Sequence, residues 1–337
     1  MDLARHPTLW TAGLLSDADG RAKLGAAHAA FIEAGASIIL SASYQTSPTM
    51  DAAAVAESVQ LALDARDAAS RPGVEAWVSV GPYGAVLADG SEYRGDYTLS
   101  EDELRAWHAE RLSLLLSPHA AVSRATAAAV SRATAAAMPR QPDGLAFETI
   151  PSMAEVRAIL SLLSDSTNSS APRHGAEGER CPPDQLAAIP AWLSFSCRDG
   201  RHLVDGTPLE DAAAACASTF ARRSAGGYIG VNCVPPSIIH AALDVLLVAA
   251  ARAPRGAISG VVLYPNDGGR WDAERRCWVH AHGERSYAES LAVEWAARIH
   301  AAGLEAIIGG CCSTDQCTVR TLRHALMAPA SAHGARL

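Results

Sequence analysis

Short apolar runs rich in β-branched and aromatic residues alternate along the chain with longer segments whose apolar positions recur every three or four residues. Seven runs have the first pattern: residues 36–41, 75–80, 144–148, 191–196, 228–233, 260–264 and 305–309. Of the helical segments, one carries Met153, Val156, Leu160 and Leu163 on a single stripe. Another carries Ile238, Ile239, Ala242, Leu243, Leu246 and Leu247. Both stripes read as packing faces. Strand and helix in strict alternation predict a parallel sheet built from βα units. Helix starts are marked as well. Ser100 with Glu103, Ser152 with Glu155, Thr207 with Glu210 and Ser286 with Glu289 all match the capping box, and Pro208 suits a first helical position.

Seven βα units are one short of the eight that close a TIM barrel. The chain opens on Leu9, Trp10 and a helical segment over residues 17–34, with no strand before it. The expected fold is therefore an α/β TIM (β/α)8 barrel lacking its first β-strand, a single domain over residues 1–337. An open doubly wound sheet is the alternative, but no Gly-x-Gly-x-x-Gly turn follows an early strand, so a dinucleotide site has no support. Two low-complexity insertions interrupt the rhythm, at about 120–140 and 164–183. The first holds Val122 to Ala129 repeated letter for letter as Val130 to Ala137; the second, rich in Ser, Gly, Pro and charge, reads as a mobile surface loop.

Composition narrows the partners. With 337 residues, 49% of them hydrophobic and 19% charged, the chain can bury a large core. A net charge of −8 without any dense basic stretch argues against nucleic acid and anionic membrane surfaces, and favours small neutral or zwitterionic substrates. The longest apolar stretch, near residues 241–251, is too short to span a bilayer, and residues 1–10 lack the apolar core of a secretory signal. Eight cysteines without the density of a secreted scaffold suggest reduced thiols in the cytoplasm.

In a βα barrel the working residues lie at the C-terminal ends of strands. Adjacent Cys311 and Cys312 follow a Gly-Gly strand end, and Cys233 closes another strand. Three thiolates make a soft-ligand face for zinc that leaves one position open, the pattern of a catalytic rather than a structural ion. The competing interpretation is three buried cysteines acting as small hydrophobes. Cys181, Cys197, Cys216, Cys277 and Cys317 have no partner motif, and His280 and His282 read as solvated loop residues. Gln45, Glu148 and Asn232 close apolar strands and need partners if buried. Glu148 could hold a substrate ammonium or brace a loop.

The segments Ala42-Ser43-Tyr44-Gln45, Ser79 to Gly84, Gly95-Asp96-Tyr97, Phe147 to Ile150, Gly230 to Cys233, Tyr264-Pro265-Asn266 and Gly309 to Cys312 closely resemble the homocysteine S-methyltransferases that use S-methylmethionine or S-adenosylmethionine. The resemblance spans nearly the whole chain. It implies a zinc-bearing barrel in which Cys233, Cys311 and Cys312 bind Zn2+ and homocysteine accepts a methyl group to give methionine. It further implies that Glu148 receives the homocysteine amino group beside Asn232, and that Tyr44, Gln45, Tyr83 and Asn266 line the methyl-donor side. Two departures stand out. The family's Asp-Gly-Gly first-strand segment has no counterpart, and Ser313 stands where arginine is usual. The alternatives are a weakly active or non-catalytic zinc- or thiol-binding protein, and a related zinc thiol methyltransferase using another donor such as a betaine.

Overall fold

The structure is a computed structural model that describes residues 10–116, 140–165, 183–268, 270–272, 277–279, 288 and 291–328. All seven expected strands form. They are β1 (Ile38–Leu40), β2 (Glu75–Val80), β3 (Gly144–Ile150), β4 (Ala191–Phe195), β5 (Gly227–Asn232), β6 (Ile258–Tyr264) and, after a short hairpin, β9 (Glu305–Ile308). They pair in parallel in the order β1-β2-β3-β4-β5-β6-β9. The hairpin, β7 (Arg270–Asp272) with β8 (Cys277–Val279), is antiparallel and lies between β6 and β9 in the chain. Both tandem Val122–Ala137 repeats, Cys181, residues 166–182 of the second insertion, His280, His282 and the Ser286/Glu289 pair lie outside the described residues.

Strand side chains alternate between two environments, as a period of two requires. Val78, Val80, Leu145, Phe147, Leu193, Phe195, Ile229, Val231, Val261, Leu263 and Ile308 face outward into one layer with the helices. Ala146, Val262 and Ile307 turn to the other side, together with the rings of Trp77, Trp192, Tyr228 and Tyr264. Trp77 stacks on Trp192 at 4.6 Å between ring centroids and meets the Tyr228 ring edge-on at 5.9 Å. Strands β2 and β5 are three spacings apart, about 14 Å in a flat sheet. Ring contact across that separation means the sheet is curled, with the aromatic residues filling its concave side.

The helices pack on the convex side much as their stripes predict. In Met153–Asp165, Val156, Leu160 and Leu163 are buried, and in Ile239–Arg252 so are Ile239, Ala242, Leu243 and Leu246. The Ser100–Glu103 capping box is complete. Ser152 caps Glu155 through the backbone at 3.4 Å, but the Glu155 side chain turns inward instead of closing the box. The Thr207–Glu210 box does not form: the helix starts at Leu209 with Pro208 as its N-cap, Thr207 bonds Asp205, and Glu210 pairs with Arg252. A long-range ion pair and a local Asx contact outcompete the cap.

Helix Ala18–Glu33, capped by the Asp17 carboxylate on Gly20 N–H at 2.7 Å, buries His28, whose Nε2 has no partner. Burial pulls this imidazole down to about 4. The unfolded chain takes up a proton near pH 6.5 and the folded chain does not until pH 4, so stability is lost as pH falls through that window. The expected loss attributable to His28 is about 3 kcal/mol by pH 4. Urea denaturation at several pH values should show a correspondingly shallower acid dependence in His28→Leu.

Candidate functional site

Because the strands are parallel, their C-terminal ends share one edge of the sheet, and the inward positions there are polar. Ser79 on β2, Glu148 on β3, Ser194 on β4 and Asn232 on β5 are all buried, and all hydrogen-bond to one another or to Tyr264 on β6. Glu148 accepts from Ser79 Oγ and from the Tyr264 hydroxyl at 3.1 Å. Burial pushes its carboxyl up to about 7, against the pull of those two donors. A buried carboxylate with two hydroxyl donors is held in place and poised to meet a cation.

Asn232 has a different task. Its Oδ1 accepts from Thr149 N–H and from Ser194 Oγ, both at 2.7 Å, and its Nδ2 donates to Thr149 Oγ1 at 2.7 Å. Thr149 has φ +61°, in the left-handed region that a β-branched residue avoids, and the register of β3 against β4 shifts between Phe147 and Ile150. The amide thus clamps the irregular turn that follows Glu148. Its Nδ2 also lies 4.0 Å from Cys311 Sγ, so the clamp borders the sulfur cluster.

Cys233 at the end of β5 and Cys311 and Cys312 beyond β9 bring three Sγ atoms within 4.8 Å of one another, with Cys233 and Cys312 3.4 Å apart. Backbone bonds set this approach. Cys233 N–H donates to Tyr264 O at 3.1 Å, and Cys311 N–H to Pro265 O at 2.8 Å. Cys233 and Ser313 both adopt left-handed backbone, at φ +54° and +63°. The Tyr93 hydroxyl stands 3.1 Å from Cys233 Sγ. Hydrogen bonds from Cys311 and Cys312 hold the Cys233 thiol well below the usual range, and the same contact with Cys233 pushes Cys311 and Cys312 up. Three thiols that already share protons suit a soft cation. Bonds of about 2.3 Å in a tetrahedron put neighbouring sulfurs about 3.8 Å apart, close to the spacing here. By contrast Cys197 and Cys216 are buried singly, and burial pushes Cys197 up to about 12 and Cys216 further. Cys317 is exposed.

The residues expected on the donor side are more dispersed in role. Gln45 is buried and donates to Ala85 O at 2.8 Å, which braces the short helix Tyr83–Leu87. Asn266 is buried and accepts from Gly268 N–H at 2.9 Å, closing its own turn. Tyr83, half-buried, packs edge-on against Tyr97 and Trp107. Tyr44 is half-buried beside Gly81, where a Cβ would fall 2.5 Å from the Tyr44 carbonyl oxygen. That approach demands glycine.

Several working residues had no sequence signal for the roles they play here. Arg111, fully buried on helix Glu101–Leu115, donates to Gly81 O at 2.6 Å and to Ser43 O and Tyr44 O at 2.7 Å. One guanidinium therefore fixes the loops after β1 and β2. Glu155 accepts from Tyr83 N–H at 2.7 Å, from the Tyr97 hydroxyl, and meets His108 Nε2 at 2.8 Å. Tyr93 and Glu92 arrive on a turn, Ser91–Tyr93, whose position depends on long-range packing rather than local pattern.

Fold and site together define a βα-sheet protein that gathers thiols and a buried carboxylate at the C-terminal edge of its strands, a class equipped for sulfur chemistry. The family model described as homocysteine S-methyltransferase matches residues 1–326. The chain belongs to the homocysteine S-methyltransferase family, and with it to the methyltransferases. It is 32% identical over 327 residues to homocysteine S-methyltransferase YbgG of Bacillus subtilis, covering 92% of this chain and 84% of that one. It is also 32% identical to the homocysteine S-methyltransferase of Escherichia coli, covering 94% and 87%. The crystal structure of the metallated form of the Escherichia coli homocysteine methyltransferase MmuM superposes with a TM-score of 0.65 at 28% identity, over 95% of this chain and 89% of that one. Among the described residues no helix is long and apolar enough to cross a membrane.

Replacing Asn232 with alanine should lower the unfolding free energy by about 2–4 kcal/mol, since it strands the buried Thr149 N–H and releases a strained backbone. Urea denaturation measures it. A loss under 1 kcal/mol would mean that Thr149 holds its conformation without the clamp.

Proposed function

We propose that the protein transfers a methyl group from a sulfonium donor, S-methylmethionine or S-adenosylmethionine, to the sulfur of homocysteine at a zinc site held by Cys233, Cys311 and Cys312. The observation that carries this reading is the convergence of the three Sγ atoms within 4.8 Å, on the same edge of the sheet as the buried carboxylate of Glu148. On this reading residues 1–337 act as one homocysteine-binding unit with small-molecule partners in the cytoplasm. The curled sheet is then most of a (β/α)8 barrel, with the place of a first strand lying between β1 and β9, the two ends of the observed order.

Bound there, zinc would act as a Lewis acid that keeps a substrate thiol ionised at neutral pH. The chain's own residues do the rest. Glu148 receives the α-ammonium of homocysteine, its carboxylate fixed by Ser79 and Tyr264. Asn232 holds the turn after Glu148 and so keeps the ammonium site in register with the cysteines. The homocysteine sulfur, having lost its proton to solvent, forms a new bond to the donor's methyl carbon while the bond from that carbon to the sulfonium breaks. The sulfonium keeps the bonding pair and leaves as a neutral thioether. No side chain has to protonate it, so the site's work is placement of two substrates. Tyr44 and Tyr83 border the donor on the loops that Arg111 ties down, with Gln45 and Asn266 bracing from beneath.

Elemental analysis of the purified reduced protein should find about one zinc per chain. Cys311→Ser should lose the metal and methyl transfer together, whereas Cys317→Ser, on an exposed thiol, should keep it. Full zinc occupancy in Cys311→Ser would remove the basis of the assignment. Parallel assays with S-methylmethionine, S-adenosylmethionine and a betaine identify the donor.

Glu148→Gln should weaken homocysteine by roughly 1.5–3 kcal/mol, the scale of a hydrogen bond to a charged group, and leave zinc content intact. An unchanged KM for homocysteine in this variant would refute the ammonium contact.

A further inference from the structure

A second carboxylate near the sulfur cluster has one oxygen without a hydrogen-bond partner. Glu92 is 2% exposed, and its Oε2 accepts no hydrogen bond. Among the described residues it is the buried carboxylate oxygen left unpaired, while Glu148 and Glu155 are each held by two or more donors. Burying such a group without a partner costs about 1–3 kcal/mol or more, so its retention points to a ligand that completes it. The neighbouring cation reaches it only through its field, because the Arg94 guanidinium donates to Asp96 at 3.0 Å and to Asp89 O at 2.8 Å.

Its location agrees. Glu92 precedes Tyr93, whose hydroxyl is 3.1 Å from Cys233 Sγ, on the turn that packs against helix Tyr83–Leu87. At Gly84 a Cβ would fall 2.7 Å from Glu92 N and 2.9 Å from the Tyr97 ring, so glycine there lets the turn seat closely. The carboxylate acts electrostatically on Tyr44 and Tyr97 and is itself acted on by Cys233, which places it between the loops after β1 and β2 and the sulfurs. Glu148 serves the opposite substrate from β3. Two substrates that each bring an ammonium, one of them also a sulfonium, would meet two buried carboxylates.

We propose that Glu92 receives the cationic end of the methyl donor. The inference rests on the methyl-transfer reading of the site. The reaction joins a thiolate and a sulfonium into two neutral thioethers, so positive charge on the donor sulfur fades in the transition state. A carboxylate beside that charge therefore favours the bound donor at least as much as the transition state. Its removal should appear in donor affinity and KM, with kcat little reduced.

The test is calorimetric titration of the reduced, zinc-loaded protein and its Glu92→Gln and Glu148→Gln variants with S-methylmethionine, with dimethylsulfonioacetate, which has a sulfonium but no ammonium, and with homocysteine. Glu92→Gln should weaken S-methylmethionine about 10- to 100-fold and leave homocysteine nearly unchanged, with Glu148→Gln showing the reverse. Equal weakening of both sulfonium compounds would assign the contact to the sulfonium; weakening of S-methylmethionine alone would assign it to the ammonium. Because one buried oxygen of the carboxylate lacks a partner in the fold, Glu92→Gln should melt at or above the wild-type temperature. Wild-type donor affinity in Glu92→Gln, or a melting temperature well below wild type, would overturn the inference alone. A wild-type protein that binds zinc and homocysteine but no sulfonium compound would overturn both it and the methyl-transfer reading.

Discussion

Parallel pairing is the constraint from which the site follows. It sends the C-terminal ends of seven strands to one edge, and curling of the sheet then turns every second residue there toward a common space. Cys233 and the Cys311–Cys312 pair, far apart in sequence, meet because β5, β6 and β9 are consecutive neighbours. Glu148 and Tyr264 touch at 3.1 Å although β3 and β6 are three strands apart, which a flat sheet would forbid. The aromatic stack of Trp77, Trp192 and Tyr228 fills the same concave side deeper in and separates the polar groups of the mouth from Glu75 and Glu305 at the N-terminal strand ends, which accept from Trp77 Nε1 and the Tyr228 hydroxyl at 2.8 Å.

That mouth is bought with backbone strain. Four non-glycine residues among those described have left-handed φ, and three of them, Thr149, Cys233 and Ser313, lie at the strand ends that form the site. Each conformation costs about 1–3 kcal/mol and needs surroundings that enforce it. For Thr149 the enforcing group is the Asn232 amide; for Cys233 it is the bond to Tyr264 O within the β5–β6 register. Ser313 is flanked by the turn that Thr314 closes onto Cys311 O at 3.1 Å. Side-chain direction at the sulfur cluster is therefore fixed by the chain before any ligand arrives.

Much of this was legible in the sequence, for identifiable reasons. A fully buried parallel strand is a near-continuous apolar run, so all seven were visible, and β1, expected over residues 36–41, spans only Ile38–Leu40. The cysteines stood out because Cys233 ends one such run and Cys311 and Cys312 follow the Gly-Gly close of another. Period-two counting from Trp77 or Trp192 also puts Ser79 and Ser194 on the inward face, a signal present but unread. Other features had no local trace. At the Thr207 cap, Glu210 pairs with Arg252, distant in sequence, while Thr207 turns to Asp205, and the Glu155 side chain turns inward to Tyr83, Tyr97 and His108. Arg111 looks like any arginine on an amphipathic helix until the carbonyls of Gly81, Ser43 and Tyr44 are seen to converge on it.

Arg111 also settles a question of charge. The edge of the sheet collects three thiols and the carboxyls of Glu148 and Glu92, and like charges so close would suppress one another's ionisation. Burial brings the guanidinium down to about 10, which leaves it a cation at neutral pH, and its field helps to keep Glu148 ionisable. Yet it donates to carbonyls, not to a carboxylate. A direct salt bridge would have neutralised Glu148 and removed it from use. Holding the cation one layer back, on the backbone of the two loops, moderates the negative field around Glu148 without a direct salt bridge to it, so the same residue that shapes the loops would, on the proposed reading, also leave Glu148 open to a positively charged substrate.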